Sequence, residues 1–141
     1  MLVEFRTIQV GKSSWVHDQL ESYQKKISFF NPINLKLIKH DKDLLKSITD
    51  KDFVAIFDES GKSFSSREFA TQVDRVVASG KQKSYFIVGG PFGLPDAVKQ
   101  RADLSISLSP FVMNQEVALL VAVEQIFRAF TILNNHPYHN D

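Results

Sequence analysis

The stretch Tyr85-Phe-Ile-Val-Gly-Gly-Pro-Phe-Gly-Leu-Pro95 decides how this chain is read. Tyr85 to Val88 has the composition of a strand buried on both faces. It runs directly into a loop holding Gly89, Gly90 and Gly93, where the backbone can take positive φ and approach a ligand closely. The same glycines also read as a tight turn between a strand and a helix. The loop is neither a Walker-type Gly-Lys-Ser/Thr loop nor a Gly-x-Gly-x-x-Gly dinucleotide fingerprint, so phosphate cradling is disfavoured. A nucleoside or amino-acid ligand stays open.

Working outward, Phe53-Val-Ala-Ile-Phe57 is a second buried-type run, bounded by Asp58 and Ser60-Gly61. Ser65 and Glu68 form a capping box, after which Phe69, Val73, Val76 and Val77 recur at helical spacing until Gly80 closes the segment. Before these, Leu2 to Val10 predicts a strand stopping at Gly11. Ser13 or Ser14 then caps a helix carrying Trp15, Val16, Leu20, Tyr23 and Ile27. Asn31-Pro32 breaks that helix, Ile33, Leu35 and Leu37 give another strand, and Lys39 to Lys51 reads as a short polar helix or loop. Beyond the glycine loop, Asp96 is placed to cap a short helix. Leu104 to Leu108 alternates as a fifth strand, and Asn114 opens a long helix reaching about Leu133. Strands alternating with helices predict an α/β domain with a mainly parallel five-stranded sheet and helices on both faces. Ligands in such sheets bind beyond the carboxyl ends of the strands, which points back to the loop after Val88.

A length of 141 residues predicts one domain, 1–141, and 43% hydrophobic residues with 12 Phe supply a core without metal or disulfide. The formal net charge of +1 argues against gripping bare duplex by bulk electrostatics. The absence of Cys removes thiol nucleophiles and Cys-based zinc or iron–sulfur sites, and no metal site is expected. Glu4 and Arg6 interrupt what a signal peptide would keep apolar. Glu124, Gln125 and Arg128 interrupt the apolar run from Val117 to Leu133. We expect a cytoplasmic protein that does not enter a membrane.

Two constellations carry possible chemistry. Glu124 and Arg128 lie four apart on one face of an otherwise apolar helix, where they either pair structurally or act. The tail His136-Pro-Tyr-His139 combines a stiff backbone with stacking rings and groups titrating near neutrality, which suits a site engaging a nucleobase. A tag-like terminus is the bland reading, and the Pro-Tyr interruption argues against it.

Together, Phe86 to Leu94, Ile-Ser-Leu-Ser at 106–109, Glu124-Gln-Ile-Phe-Arg-Ala-Phe130 and His136 to His139 resemble the RlmH (YbeA) family of SPOUT methyltransferases over essentially the whole chain. The resemblance implies a carboxyl-terminal trefoil knot, with knot and cofactor site at roughly 84–139. It also implies a homodimer that uses S-adenosylmethionine to methylate N3 of a pseudouridine in 23S rRNA of the assembled ribosome. Matched by position, the cofactor pocket falls on Phe57, Gly89, Gly90, Gly93, Leu108, Ser109, Pro110, Phe111, Val112 and Met113. Glu124, Arg128, Tyr138 and His139 fall at the methyl-transfer site: Arg128 for electrostatic stabilisation, His139 or Glu124 for proton removal, Tyr138 to orient the base. Gln115 and Leu119 stand where the family usually carries a His and an Arg, so a basic contact is missing. That departure leaves room for a different RNA target, or for a ribosome-associated protein without catalysis.

Overall fold

A computed structural model describes residues 2–140. In chain order the elements are β1 (Leu2–Ile8), α1 (Val16–Ser28), β2 (Ile33–Ile38), β3 (Phe53–Ser63), α2 (Ser66–Val77), β4 (Lys83–Val88), α3 (Asp96–Arg101), β5 (Leu104–Ser107) and α4 (Gln115–Leu133). The strands form one sheet in the order β2-β1-β4-β3-β5, and every neighbouring pair is parallel.

Both faces of the sheet are covered, as the uninterrupted apolar runs predict. Val3, Phe5, Ala55, Phe57, Phe86 and Val88 point into a core shared with α1, α2 and α4, whereas Val54, Ile56, Tyr85 and Ile87 point the other way, against Leu44 and Val98. α4 packs on both α1 and α2. That position accounts for one apolar face, on which Leu119, Ala122, Val123, Ile126, Phe127 and Phe130 are buried within one subunit, while Val117, Leu120 and Val121 keep apolar surface outside it.

The second face has only α3 and the segment before β3 to cover it, and a buried charge fastens that segment. Arg6 donates from Nη1 to the carbonyls of Leu44 at 2.9 Å and Lys46 at 2.8 Å. It pairs with Glu4 and lies 4.6 Å from the centroid of the Tyr85 ring. A charge this deep is tolerated because Glu4 pairs with Nε, two carbonyls accept from Nη1 and the Tyr85 ring covers the guanidinium. The lysine-rich stretch therefore settles as turns around a single 3₁₀ turn, Asp41–Asp43.

Several local expectations shift. β1 ends at Ile8 and β5 at Ser107, each earlier than the sequence pattern suggests. β3 continues to Ser63 because Phe57 and Lys62 both pair with Ile106, so the intervening residues bulge outward and the strand resumes. Neither Ser13 nor Ser14 is the N-cap of α1; that position is Trp15, although the Ser14 hydroxyl accepts from Val16 N and reaches Glu116 on α4. Asp96 lies inside α3, whose N-cap is Pro95. The Ser65–Glu68 capping box closes in both directions, and the Asn114 side chain accepts from Val117 N at 2.9 Å.

Candidate active site

Loops at the carboxyl ends of β3, β4 and β5 converge on a cavity of about 410 Å³, within the range of small-molecule sites. Its floor is the glycine loop. Gly93 N donates to Gly90 O at 3.0 Å, and Gly93 holds φ at +83°, a left-handed conformation that favours glycine. A Cβ on Gly89 would lie 2.7 Å from the carbonyl carbon of Gly93, so the loop cannot fold back this tightly with a side chain there.

Of the anticipated cofactor residues, Phe57, Gly89, Gly90, Gly93, Leu108, Ser109, Phe111, Val112 and Met113 line this one cavity. Pro110 is exposed and lies outside the lining. The cavity also takes in Asp58, Glu59, Phe92 and Lys99, which sequence reasoning missed. A signal existed for the acids: Asp58 and Glu59 directly follow a buried run, which is where a parallel sheet presents its ligand side. Asp58 Oδ2 accepts from Ser60 Oγ at 2.7 Å and lies 4.0 Å from Lys99 Nζ. Apolar walls, close backbone, two carboxylates and Lys99 suit a nucleoside-like ligand, a flat base joined to a hydroxyl-bearing sugar, with a charged arm.

Gln115 is half-buried and lines the cavity, whereas Leu119 turns into the fold. Gln115 Nε2 donates to Ile8 O at 2.7 Å, tying the start of α4 to the end of β1, and Leu119 is fully buried.

The second constellation assembles at the other end of α4. Arg128 donates from Nε and Nη2 to Glu124 Oε1 at 3.0 and 2.8 Å, and Tyr138 OH donates to the same oxygen at 3.1 Å. Gln125 Nε2 donates to Glu124 Oε2 at 2.8 Å. Arg128 Nη1 lies 3.0 Å from His139 Nδ1; a guanidinium only donates, so Nδ1 accepts and the ring proton sits on Nε2. The Arg128 guanidinium also covers the Tyr138 ring at 4.8 Å, and Phe127 meets that ring edge-on at 4.7 Å. The tail thus folds back on α4, and the four anticipated residues form one network.

That network fixes protonation. Hydrogen bonding to Glu124 raises the Arg128 pKa further, so its charge is permanent. Burial, reinforced by the Glu124 charge, pushes the Tyr138 phenol up to about 12, which makes it a donor and not a base at neutral pH.

Neither Glu124, Arg128, Tyr138 nor His139 lines the cavity. The helix itself explains this: Ala118 lines the cavity, and Arg128 follows it by about 15 Å along the axis at 1.5 Å per residue. Among the described residues no group of three or more His, Asp or Glu could hold a metal, and no helix is long and apolar enough to cross a membrane.

Parallel sheet, glycine loop and cavity define an α/β domain that binds a small ligand at its strand carboxyl ends. Residues 1–139 match the family described as "Predicted SPOUT methyltransferase". The chain belongs to the SPOUT methyltransferase family. It is 38% identical to "Ribosomal RNA large subunit methyltransferase H" of Bdellovibrio bacteriovorus, over 94% of this chain and 95% of that protein. The protein of the same name from Streptococcus pneumoniae is 32% identical, over 97% of this chain and 99% of its own. A solved structure, the "Probable Methyltransferase from Bordetella pertussis Tohama I", superposes with a TM-score of 0.56 at 12% identity, over 92% of this chain and 95% of that one, and shares the fold.

Proposed function

We propose that this protein is a cytoplasmic methyltransferase that acts as a homodimer, moving the methyl group of S-adenosylmethionine to N3 of a pseudouridine in the large-subunit RNA of the assembled ribosome. The observation that carries the reading is the placement of two incomplete half-sites on one helix, a ligand cavity at the start of α4 and a charged, aromatic network at its end. Either half alone lacks what a methyl transfer needs. A second copy set against the cavity mouth, where Phe92, Phe111 and Val112 are exposed, supplies the missing network to each cavity.

The cavity fits the cofactor. Phe57, Leu108 and Val112 would enclose the adenine, loop amides near Gly89 would reach its edges, and Asp58 and Glu59 would receive the ribose hydroxyls or the ammonium. S-adenosylmethionine, when bound, supplies an electrophilic sulfonium methyl. The chain's own residues then act on the nucleophile, a ring nitrogen that must lose its proton. Arg128 holds a permanent cation beside the developing base anion, with His139 held against it at 3.0 Å. Tyr138 stays protonated and orients the base. With His139 Nδ1 engaged by Arg128, proton removal falls to Glu124, whose Oε2 accepts from Gln125 and has a second lone pair for the base. We further propose that residues 1–141 act as one such domain, with its carboxyl-terminal part, roughly 84–139, knotted.

Leu119 is buried, and Gln115 lines the cavity while donating to Ile8 O, which supports reading these two positions as packing and cavity residues and not as RNA contacts. The test is transfer of labelled methyl from S-adenosylmethionine to ribosomes lacking the modification, with mass spectrometry of the nucleosides. N3-methylpseudouridine is the expected product. Silence beside a working control enzyme refutes the substrate. Mixing an R128A chain with a chain blocked in the cavity tests the dimer, because mixed dimers must regain one complete site.

A further inference from the structure

We propose that Phe29, at the carboxyl end of α1, is a stacking platform for a nucleobase of the RNA substrate, with Lys25 and Lys26 holding the adjoining phosphates. The inference rests on the RNA substrate proposed above and adds a specificity-determining residue to it. Phe29 is 91% exposed, directly after a helix whose other large apolar residues Leu20 and Ile27 are buried. It is not an isolated ring. Phe29 meets Phe30 edge-on at 6.4 Å; Phe30 turns inward to meet Phe127 at 6.4 Å and the tail's His136 at 6.0 Å. A continuous series of rings thus runs from solvent to the tail network, where Phe127 touches Tyr138.

The charge beside this series has the sign a phosphate backbone needs. Lys26 Nζ lies 5.0 Å over Tyr23 and 5.9 Å over Phe127, held at the edge of the aromatic path. Lys25 stands on the same turn, in a solvent-exposed pair with Glu21 at 3.4 Å that is weak enough for a phosphate to displace, and Glu124 is engaged by Arg128 and Tyr138. Exposed rings interleaved with cations are the chemistry of single-stranded nucleic-acid binding, in which bases stack and lysines follow the backbone. Such local contacts also reconcile an RNA substrate with a net charge of only +1.

The experiment compares wild type, F29A and F29W on ribosomes lacking the modification. F29A is expected to raise KM for ribosomes about tenfold, with kcat at saturation, S-adenosylmethionine affinity and oligomeric state unchanged, and F29W is expected to restore KM. Phe29→p-benzoylphenylalanine should crosslink to rRNA. An F29A enzyme with unaltered KM overturns the proposal, as does a crosslink to a second copy of the chain or to a ribosomal protein. If wild type itself neither binds nor methylates ribosomes, the proposed function falls and this inference with it; an active wild type with an indifferent F29A defeats the inference alone.

Discussion

Arg128 places two of its donors, Nε and Nη2, on a single oxygen of Glu124, one turn earlier on α4, at 3.0 and 2.8 Å. This arrangement spends two of the guanidinium's donors on orientation and leaves Nη1 to His139. Replacing Arg128 by Ala should lower kcat by about a hundredfold or more, the scale for removing a donor aimed at developing negative charge. Lys keeps the charge without the planar fork and should recover only part of the rate. Calorimetric titration should find S-adenosylmethionine affinity intact in both, because the proposed role of Arg128 is toward the RNA base, while the cofactor is held by the residues lining the cavity, Arg128 not among them.

Tyr138 gives a pH prediction. Its phenol is raised from about 10 to about 12, by burial first and the Glu124 charge second. Folding therefore favours the protonated form: this contribution is fully present below pH 10 and is lost as pH rises through about 12. Phenolate absorbance should show an ionisation near pH 12 that Y138F removes, leaving the separate raised step of Tyr85, which burial also lifts. A Y138F spectrum that keeps the step near pH 12 would assign it to another tyrosine.

Gly89 tests the cavity. With a Cβ placed 2.7 Å from the Gly93 backbone, G89A must move the loop, because no flexible side-chain end is available to yield. We expect S-adenosylmethionine affinity to fall at least tenfold and the ligand-induced rise in Tm to vanish. The unliganded fold should persist, since Gly89 stands at the cavity and not in the apolar core. Unchanged affinity would separate this loop from the cofactor.

Leu119 tests the reading of the family departure as structural. It is fully buried where α4 meets the sheet and its neighbouring helices. L119A should therefore lower stability by about 2 to 5 kcal/mol, measurable by urea denaturation. If the variant instead keeps its stability and loses RNA affinity, the position belongs to the interface and not to the core.

How much could be read in advance depends on the range of the interaction. The Ser65–Glu68 box and the Asn114 cap are made by residues three apart, so sequence alone located both helices. The capping of α1 was misread for the opposite reason: Ser14 is drawn away by Glu116, about a hundred positions later. Likewise, β3 outran its apolar run because β5, contributed from far along the chain, offered its backbone a second register.

The candidate site divides in the same way. Gly89, Gly93 and the residues 108–113 are legible because tight turns and strand ends demand particular residue types wherever they occur. Glu124 and Arg128 are paired by the helical repeat, four residues apart. What sequence could not decide is that Asp58, Glu59 and Gln115 join the cavity, that Leu119 turns inward, and that the tail returns to fix Tyr138 and His139 on α4. Local propensity and periodicity determine which elements exist and which face of each is apolar. Only the packing of α4 between α1 and α2, driven by burial of surface from distant parts of the chain, decides which side chains meet.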